Sequence, residues 1–171
     1  QSQSNHHHSV PNYGEFAAII PVEIPSASQR EARVDAMPST YLSLHYHLVF
    51  GTKNREALIV PELRARLHDY LGGTIRGLGG YPEGIGGVAD HVHLLVGFKA
   101  THCLADVLRE LKKASSAWVH EEIGLRVFAW QEGYAAFTVS ATSREAVRHY
   151  IANQEEHHRV KSFREELGEM L

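Results

Sequence analysis

From Leu42 onward the chain alternates between segments with the two-residue period of a strand and segments with the 3.6-residue period of a helix. Strand patterns occupy LSLHYHLVFGT (42–52), part of YPEGIGGVA (81–89), HVHLLVGF (91–98) and the region of GYAAFTVS (133–140). Helical patterns occupy 61–79, about 104–123 and the residues from about Ser143. This β-α-β-β-α-β order with an additional C-terminal helix predicts an α+β fold, a ferredoxin-like or RRM-like antiparallel sheet with two helices on one face and the other face open.

The first 36 residues lack any sustained periodicity and include a run of three histidines. We therefore expect a leader over residues 1–36, either derived from cloning or disordered. A chain of 171 residues with 43% hydrophobic content can form one globular core. We expect that single domain over residues 37–171, starting at Met37.

Charge and cysteine content restrict the class of protein. The formal net charge of −3 argues against non-specific attraction to nucleic acid, although local basic clusters leave room for a basic groove. The single cysteine, Cys103, excludes an internal disulfide. Neither a signal peptide nor an apolar run long enough to span a membrane is seen, so a cytoplasmic protein with no membrane partner is expected.

Two histidines alternate with apolar residues in HVHLLV. Because side chains alternate between the faces of a strand, Val92 and its apolar neighbours should face the helices while His91 and His93 lie on the open face, about 7 Å apart. Two imidazoles so placed can bind one divalent ion. The alternative is a pair of outward histidines with no function.

The segment LHYHLVF repeats this arrangement with His45 and His47, on a strand expected to lie beside the first. Periodicity does not choose between the pairs. Both can line one site, with one pair binding the ion and the other supporting the ligands or contacting phosphate.

The last helix carries a polar face in REAVRHYIANQEEHH. Tyr150 and Gln154 are four residues apart and share that face, and His157 and His158 follow on the same side. For an isolated helix the simpler interpretation is that Tyr150 anchors the edge of the core. Because a histidine pair is expected on the neighbouring open sheet face, a catalytic role for Tyr150 becomes a stronger interpretation than it would be for an isolated helix.

Four motifs, ADHVHLLV, LRELKKASSAWVH, WQEGYAAFTVS and YIANQEEHH, occur in the order and spacing of a known family. From about Tyr41 to its end the chain resembles the single-tyrosine HUH transposases, the TnpA-like transposases of minimal insertion sequences that move as single-stranded DNA. The resemblance implies that His91 and His93 form the HUH pair, that Tyr150 is the nucleophile and that Gln154 is the third metal ligand. His157 or His158 could replace Gln154 in that role.

The resemblance also implies an activity. Such an enzyme binds single-stranded DNA hairpins at the ends of an insertion sequence, then cleaves and rejoins single strands through a 5′-phosphotyrosine intermediate. It requires Mg²⁺ or Mn²⁺ and no nucleotide cofactor, and it is a homodimer whose active sites are shared between subunits. A tyrosine has an unperturbed pKa of about 10, so its attack needs help from the metal, from Arg148 or from a bound water.

Basic and aromatic side chains are candidates for DNA contact. The basic candidates are Lys53, Arg55, Arg109, Lys112, Lys113 and Arg148, and Trp130 and Phe137 are candidates for base stacking.

Three other functions stay open. The first is an RNA-recognition module, which should carry aromatic residues where this chain has histidines. The second is a metal-dependent phosphodiesterase that uses water, and the third is a decayed or domesticated transposase that binds hairpins only.

Overall fold

The structure, a computed structural model, describes residues 42–158 together with 165 and 168. The predicted leader 1–36 and the predicted start at Met37 lie outside the described residues. In the described part the elements are β1 (His45–Gly51), α1 (Pro61–Gly77), β2 (Tyr81–Val88), β3 (His91–Gly97), α2 (Leu104–Trp118), β4 (Ala135–Val139), α3 (Arg144–Ala152) and α4 (Gln154–His157). None of the helices in these residues is long and apolar enough to cross a lipid bilayer.

The four strands form one sheet in the order β2-β3-β1-β4, and all three neighbouring pairs are antiparallel. This is the strand order of the ferredoxin-like plan, and the predicted fold class is confirmed. A tight turn at Ala89 and Asp90 joins β2 to β3. A one-turn 3-10 segment, Lys53–Arg55, follows β1.

The main core lies between the sheet and helices α1 and α2. Val92, Leu94 and Val96 of β3 point into it, as their alternation with the histidines predicts. Helix α1 starts at Pro61, which suits the first helical position, and buries a stripe spaced by four residues that consists of Leu63, Leu67, Leu71 and Ile75. Helix α2 adds Val107, Leu108 and Leu111.

Trp130 belongs to this core and is only 9% exposed. Its ring centroid lies 4.8 Å from that of Phe50 and 4.9 Å from that of Phe128, and its indole nitrogen donates to the Ser115 hydroxyl at 2.9 Å. The expectation that Trp130 stacks on bases is therefore wrong, because the ring is buried and its polar atom is bonded.

The opposite face of the sheet, predicted to be open, is not open throughout, because α3 lies across β2 and β3. Ile151 packs there with Leu95 and Val139. The close approach depends on Gly86 of β2, where a β carbon would lie 2.1 Å from the carbonyl oxygen of Ile151. At Gly84 a β carbon would make ordinary van der Waals contact with Arg148, at 3.4 Å. An RNA-recognition module reads bases on an exposed sheet face, so this arrangement argues against that alternative.

Candidate functional site

His91 and His93 lie side by side on β3, beneath α3. Their ring centroids are 5.0 Å apart, and both residues are 0% exposed. Buried imidazoles need hydrogen-bond or metal partners, because burying an unsatisfied polar group costs free energy. The surrounding contacts therefore determine what the pair can do.

His91 is held through its Nδ1 atom, which lies 2.7 Å from Asp90 Oδ1. Arg55 Nη2 lies 2.8 Å from the other carboxylate oxygen of Asp90. Burial alone would raise the pKa of Asp90, but the hydrogen bond to His91 and the charge of Arg55 outweigh it and hold that pKa below its usual value. Asp90 is therefore a carboxylate at neutral pH, and it can accept a hydrogen bond from an N–H at Nδ1 of His91.

His93 is held by a second histidine, with its Nδ1 atom 2.9 Å from Nε2 of His47. His45, the other member of the repeated pair, instead has its Nε2 atom 2.9 Å from Glu83. The two histidines of β1 are therefore not equivalent: His47 contacts the HxH pair and His45 contacts Glu83.

A third imidazole completes a cluster. Nε2 of His158 lies 3.0 Å from Nε2 of His91, and one ring nitrogen each from His91, His93 and His158 fall within 4.8 Å of one another. An ion with metal–nitrogen bonds of about 2.1 Å and ligands at right angles needs neighbouring nitrogens about 3 Å apart. The 3.0 Å between the Nε2 atoms of His91 and His158 matches that spacing, and imidazole is a common ligand of divalent transition metals and related ions.

Tyr150 stands beside these rings. Its half-buried ring has its centroid 5.9 Å from that of His93 and 6.0 Å from that of His47, with edges facing in both cases. Helix α3 ends at Ala152, Asn153 leaves helical geometry with φ −105° and ψ 23°, and Gln154 then begins α4. Gln154 is 1% exposed, and its role as the third ligand stays a prediction, as does that of His157, whose side chain lies outside the described residues.

The predicted DNA-contacting residues fall into two groups. Lys53 and Lys113 are exposed, as are Arg109 and Arg148, which form ion pairs at 2.7 Å with Asp106 and Glu145. Lys112 instead points inward, where its ammonium donates to the carbonyl oxygens of Gln131, Glu132 and Gly133 at 3.1, 3.0 and 2.8 Å.

Burial lowers the pKa of Lys112 to about 8. Arg55, bound to Asp90, also faces the interior of the site. Phe137 is half-buried on the histidine face, with its ring centroid 6.1 Å from that of His47.

Asp90 and the role of Arg55 were not identified from the sequence. The position of Asp90 in the sequence is the feature that could have identified it, because it directly precedes the HxH pair. A carboxylate beside a histidine that binds a metal is a common supporting group. Gly84 and Gly86 also carried a signal: glycines at alternate strand positions mark a close backbone approach.

Comparison with known proteins gives consistent matches. The model of the family described as IS200-like transposases matches residues 40–154, more than half of the chain. The ISDra2 transposase TnpA of Deinococcus radiodurans is 27% identical over 117 residues, which span 65% of this chain and 84% of that protein.

Two solved structures are similar. The crystal structure of a putative transposase from Deinococcus radiodurans has 28% identity and a TM-score of 0.54, covering 68% of this chain and 95% of that one. A REP-associated tyrosine transposase bound to a REP hairpin has 16% identity and a TM-score of 0.47 over 66% of this chain and 68% of that one, a likeness too weak to support an argument. On the match over residues 40–154, the chain belongs to the family of IS200-like transposases.

Proposed function

We propose that this transposase binds single-stranded DNA hairpins at insertion-sequence ends and cleaves and rejoins single strands through Tyr150. Family membership supports transposition in general. The observation that carries the finer proposal is the position of the Tyr150 ring, whose centroid lies 5.9 Å from that of His93 in a buried histidine cluster. A tyrosine at the edge of the core has no packing requirement for such neighbours.

The proposed metal ligands are His91, His93 and Gln154, with His158 as the alternative third ligand. Asp90 and His47 contact the Nδ1 atoms of His91 and His93, so Nε2 of each ring carries the lone pair that would bind the ion when those Nδ1 atoms are protonated. Mg²⁺ or Mn²⁺, when bound, would polarise the scissile phosphate and stabilise its developing charge.

The proposed nucleophile is the phenolic oxygen of Tyr150. It attacks phosphorus, forms a 5′-phosphotyrosine and releases a free 3′-hydroxyl, so the phosphodiester energy is conserved and rejoining needs no nucleotide cofactor. Arg148 is a weak candidate for assisting this attack. It lies two residues before Tyr150, a spacing that does not place side chains on one helical face, and it pairs with Glu145 at 2.7 Å.

We further propose a homodimer in which active sites are shared between subunits, acting on DNA in the cytoplasm. The residues proposed to contact the phosphates of the DNA are the exposed Lys53, Arg109, Lys113 and Arg148. The half-buried ring of Phe137, on the histidine face, is the candidate for base stacking.

The test is covalent capture of DNA. Hairpin-bearing oligonucleotides from the ends of the insertion sequence, labelled at either end, are incubated with Mg²⁺ or Mn²⁺ and separated on a denaturing gel. A 5′-phosphotyrosine should retain the 3′-labelled fragment on the protein and release a 5′-labelled fragment that a polymerase can extend. Tyr150→Phe should abolish the band while hairpin binding persists, and Tyr81→Phe, at an exposed tyrosine, should leave it unchanged.

Other outcomes identify the alternatives. Cleavage without a covalent species, unaffected by Tyr150→Phe, would indicate a phosphodiesterase that uses water. Hairpin binding without cleavage would indicate a decayed or domesticated transposase.

A further inference from the structure

We propose that Asp90 is a positioning residue that fixes the tautomer of His91 and so directs the Nε2 lone pair of that ring toward the metal. This inference rests on the proposed metal role of His91. It assigns a function to a carboxylate that the metal-ligand set leaves unexplained.

Both the side chain and the main chain of Asp90 are fixed by the turn that follows β1. Its Oδ2 atom accepts from Arg55 Nη2 at 2.8 Å, and its carbonyl oxygen accepts from the Thr52 amide at 2.9 Å. Thr52 is fully buried. Asp90 therefore presents Oδ1 to His91 from a position determined on two sides.

The turn has an unusual backbone. Asn54 and Arg55 have φ values of 55° and 62°, in the left-handed region that residues other than glycine seldom adopt. Asparagine tolerates this region, but arginine has no such preference. Strained residues of this kind persist where the surrounding structure holds them, and they concentrate at functional sites.

Gly51 makes room for the Arg55 side chain. A β carbon at position 51 would lie 2.8 Å from Arg55 Nη1 and 3.0 Å from the carbonyl oxygen of Asp90. The guanidinium therefore lies over the end of β1, where it reaches the Asp90 carboxylate. A simple surface ion pair would need neither this glycine nor the left-handed turn.

The chemical consequence concerns the proton on His91. A neutral imidazole carries one N–H, and two groups compete for Nδ1 of His91: Arg55 Nη2, a donor at 3.2 Å, and the Asp90 carboxylate, an acceptor at 2.7 Å. The carboxylate is the closer of the two, and Arg55 Nη2 is already paired with it at 2.8 Å, so the form in which Nδ1 is protonated is favoured. Nε2 then carries the lone pair, and it is the atom that faces His158 at 3.0 Å. The other tautomer would point an N–H into the cluster and could not bind a metal there.

The test compares Asp90→Asn with Asp106→Asn, since Asp106 forms an Asp–Arg pair of similar length, 2.7 Å, on the exposed side of α2. In metal-free protein, ¹⁵N NMR of the imidazole ring should report Nδ1–H for His91 in the wild type and a loss of that signature in Asp90→Asn. Mn²⁺ affinity, measured by titration, should fall about 10–100-fold in Asp90→Asn, the usual effect of losing a supporting group. Asp106→Asn should match the wild type in both.

Arg55→Lys and Arg55→Gln provide a second test if Asp90→Asn folds poorly. Lysine keeps the charge beside Asp90 and should retain most of the Mn²⁺ affinity that glutamine loses. Wild-type tautomer and wild-type Mn²⁺ affinity in both Asp90→Asn and Arg55→Gln would overturn the proposal, even if thermal stability fell. Neither readout uses DNA, so a protein that binds Mn²⁺ as expected but forms no covalent adduct would contradict the proposed function and still support this role of Asp90.

Discussion

The Nε2 atom of His47 lies 2.9 Å from the Nδ1 atom of His93, so an imidazole on β1 holds an imidazole on the neighbouring β3. The backbone register explains why His47 makes this contact and His45 does not. His47 pairs with Leu95, two residues from His93, whereas His45 pairs with Gly97 at the end of the strand.

His47→Ala should weaken Mn²⁺ binding about 10-fold or more, because His93 loses the partner that orients its ring. His45→Ala is the matched control, since it removes a histidine from the same face of the same strand and should leave the affinity unchanged. Isothermal titration with Mn²⁺ measures both. Equal losses in the two variants would show that the contact between His47 and His93 has no special role.

Gln154→Ala should weaken Mn²⁺ binding more than His158→Ala does. Gln154 is a polar side chain only 1% exposed, four residues after Tyr150, whereas His158 is partly exposed. The loss should equal or exceed the 10–100-fold typical of a supporting group. The reverse order in a metal titration would instead assign the third position to His158.

Gly86→Ala should displace α3 and reduce covalent capture of DNA at least 10-fold. The added β carbon would lie 2.1 Å from the Ile151 carbonyl oxygen, so the helix that carries Tyr150 must move. Overpacking of this kind costs about 1–3 kcal/mol in the free energy of unfolding. Denaturation curves and the gel assay measure the two effects.

Gly73→Ala is the control for that variant. No atom lies within 4 Å of a β carbon at this helical position, so alanine should be neutral or stabilise the protein by about 0.5–1 kcal/mol. Unchanged capture by Gly86→Ala would mean that the depth of α3 is unimportant for the reaction.

His68 should make the protein less stable in acid. Burial, followed by the charge of Arg64, lowers the pKa of His68 to about 4, and its Nε2 atom has no hydrogen-bond partner among the described residues. The unfolded chain has the higher pKa of about 6.5 and binds the proton first, so stability is full above pH 6.5 and falls as the pH drops toward 4.

The expected loss is about 2 kcal/mol, after allowance for the partial exposure of the ring. Urea denaturation of the wild type and of His68→Leu between pH 7 and pH 4 measures it. The variant should lose less stability over that range. Parallel curves for the two proteins would contradict the assignment.

Substitutions at Lys112 and Lys113 should have different effects, the first on the stability of the protein and the second on its binding to DNA. Lys112→Met removes three hydrogen bonds to the loop at 131–133 and should cost about 1–3 kcal/mol in stability with little effect on DNA affinity. Lys113→Met should leave stability unchanged and reduce the salt dependence of binding to a single-stranded oligonucleotide, by about 0.7 in the slope of log K against log salt. Binding isotherms at several salt concentrations test both, and a larger slope change for Lys112 would reverse the assignment.

Periodicity was sufficient to predict the element order, because each buried strand face and each helical stripe repeats over several residues. It also placed Val92 and His91 on opposite faces of β3. It could not distinguish His45 from His47, because both alternate identically and only the register between strands separates them.

Other features depend on contacts that a pattern does not encode. Arg55 and Lys112 stand in basic clusters typical of DNA-binding surfaces, yet both side chains turn inward, toward Asp90 and toward three carbonyl oxygens. Asn54 is compatible with a left-handed conformation, but nothing in the residue type at position 55 indicates one. The position of α3 above β2 was not predicted from the sequence, because glycines in a strand are as typical of tight turns as of a close backbone approach.

Gly86, the glycine of β2 beneath α3, has a consequence for how a mobile element loses its activity over time. Every amino-acid replacement at Gly86 adds at least a β carbon, which would lie 2.1 Å from the Ile151 carbonyl oxygen. Under the proposed function, a gene copy that drifts without selection therefore loses mobility through a missense change in this codon while its tyrosine and histidines remain intact. Counting intact histidine and tyrosine motifs would overestimate how many copies can still move.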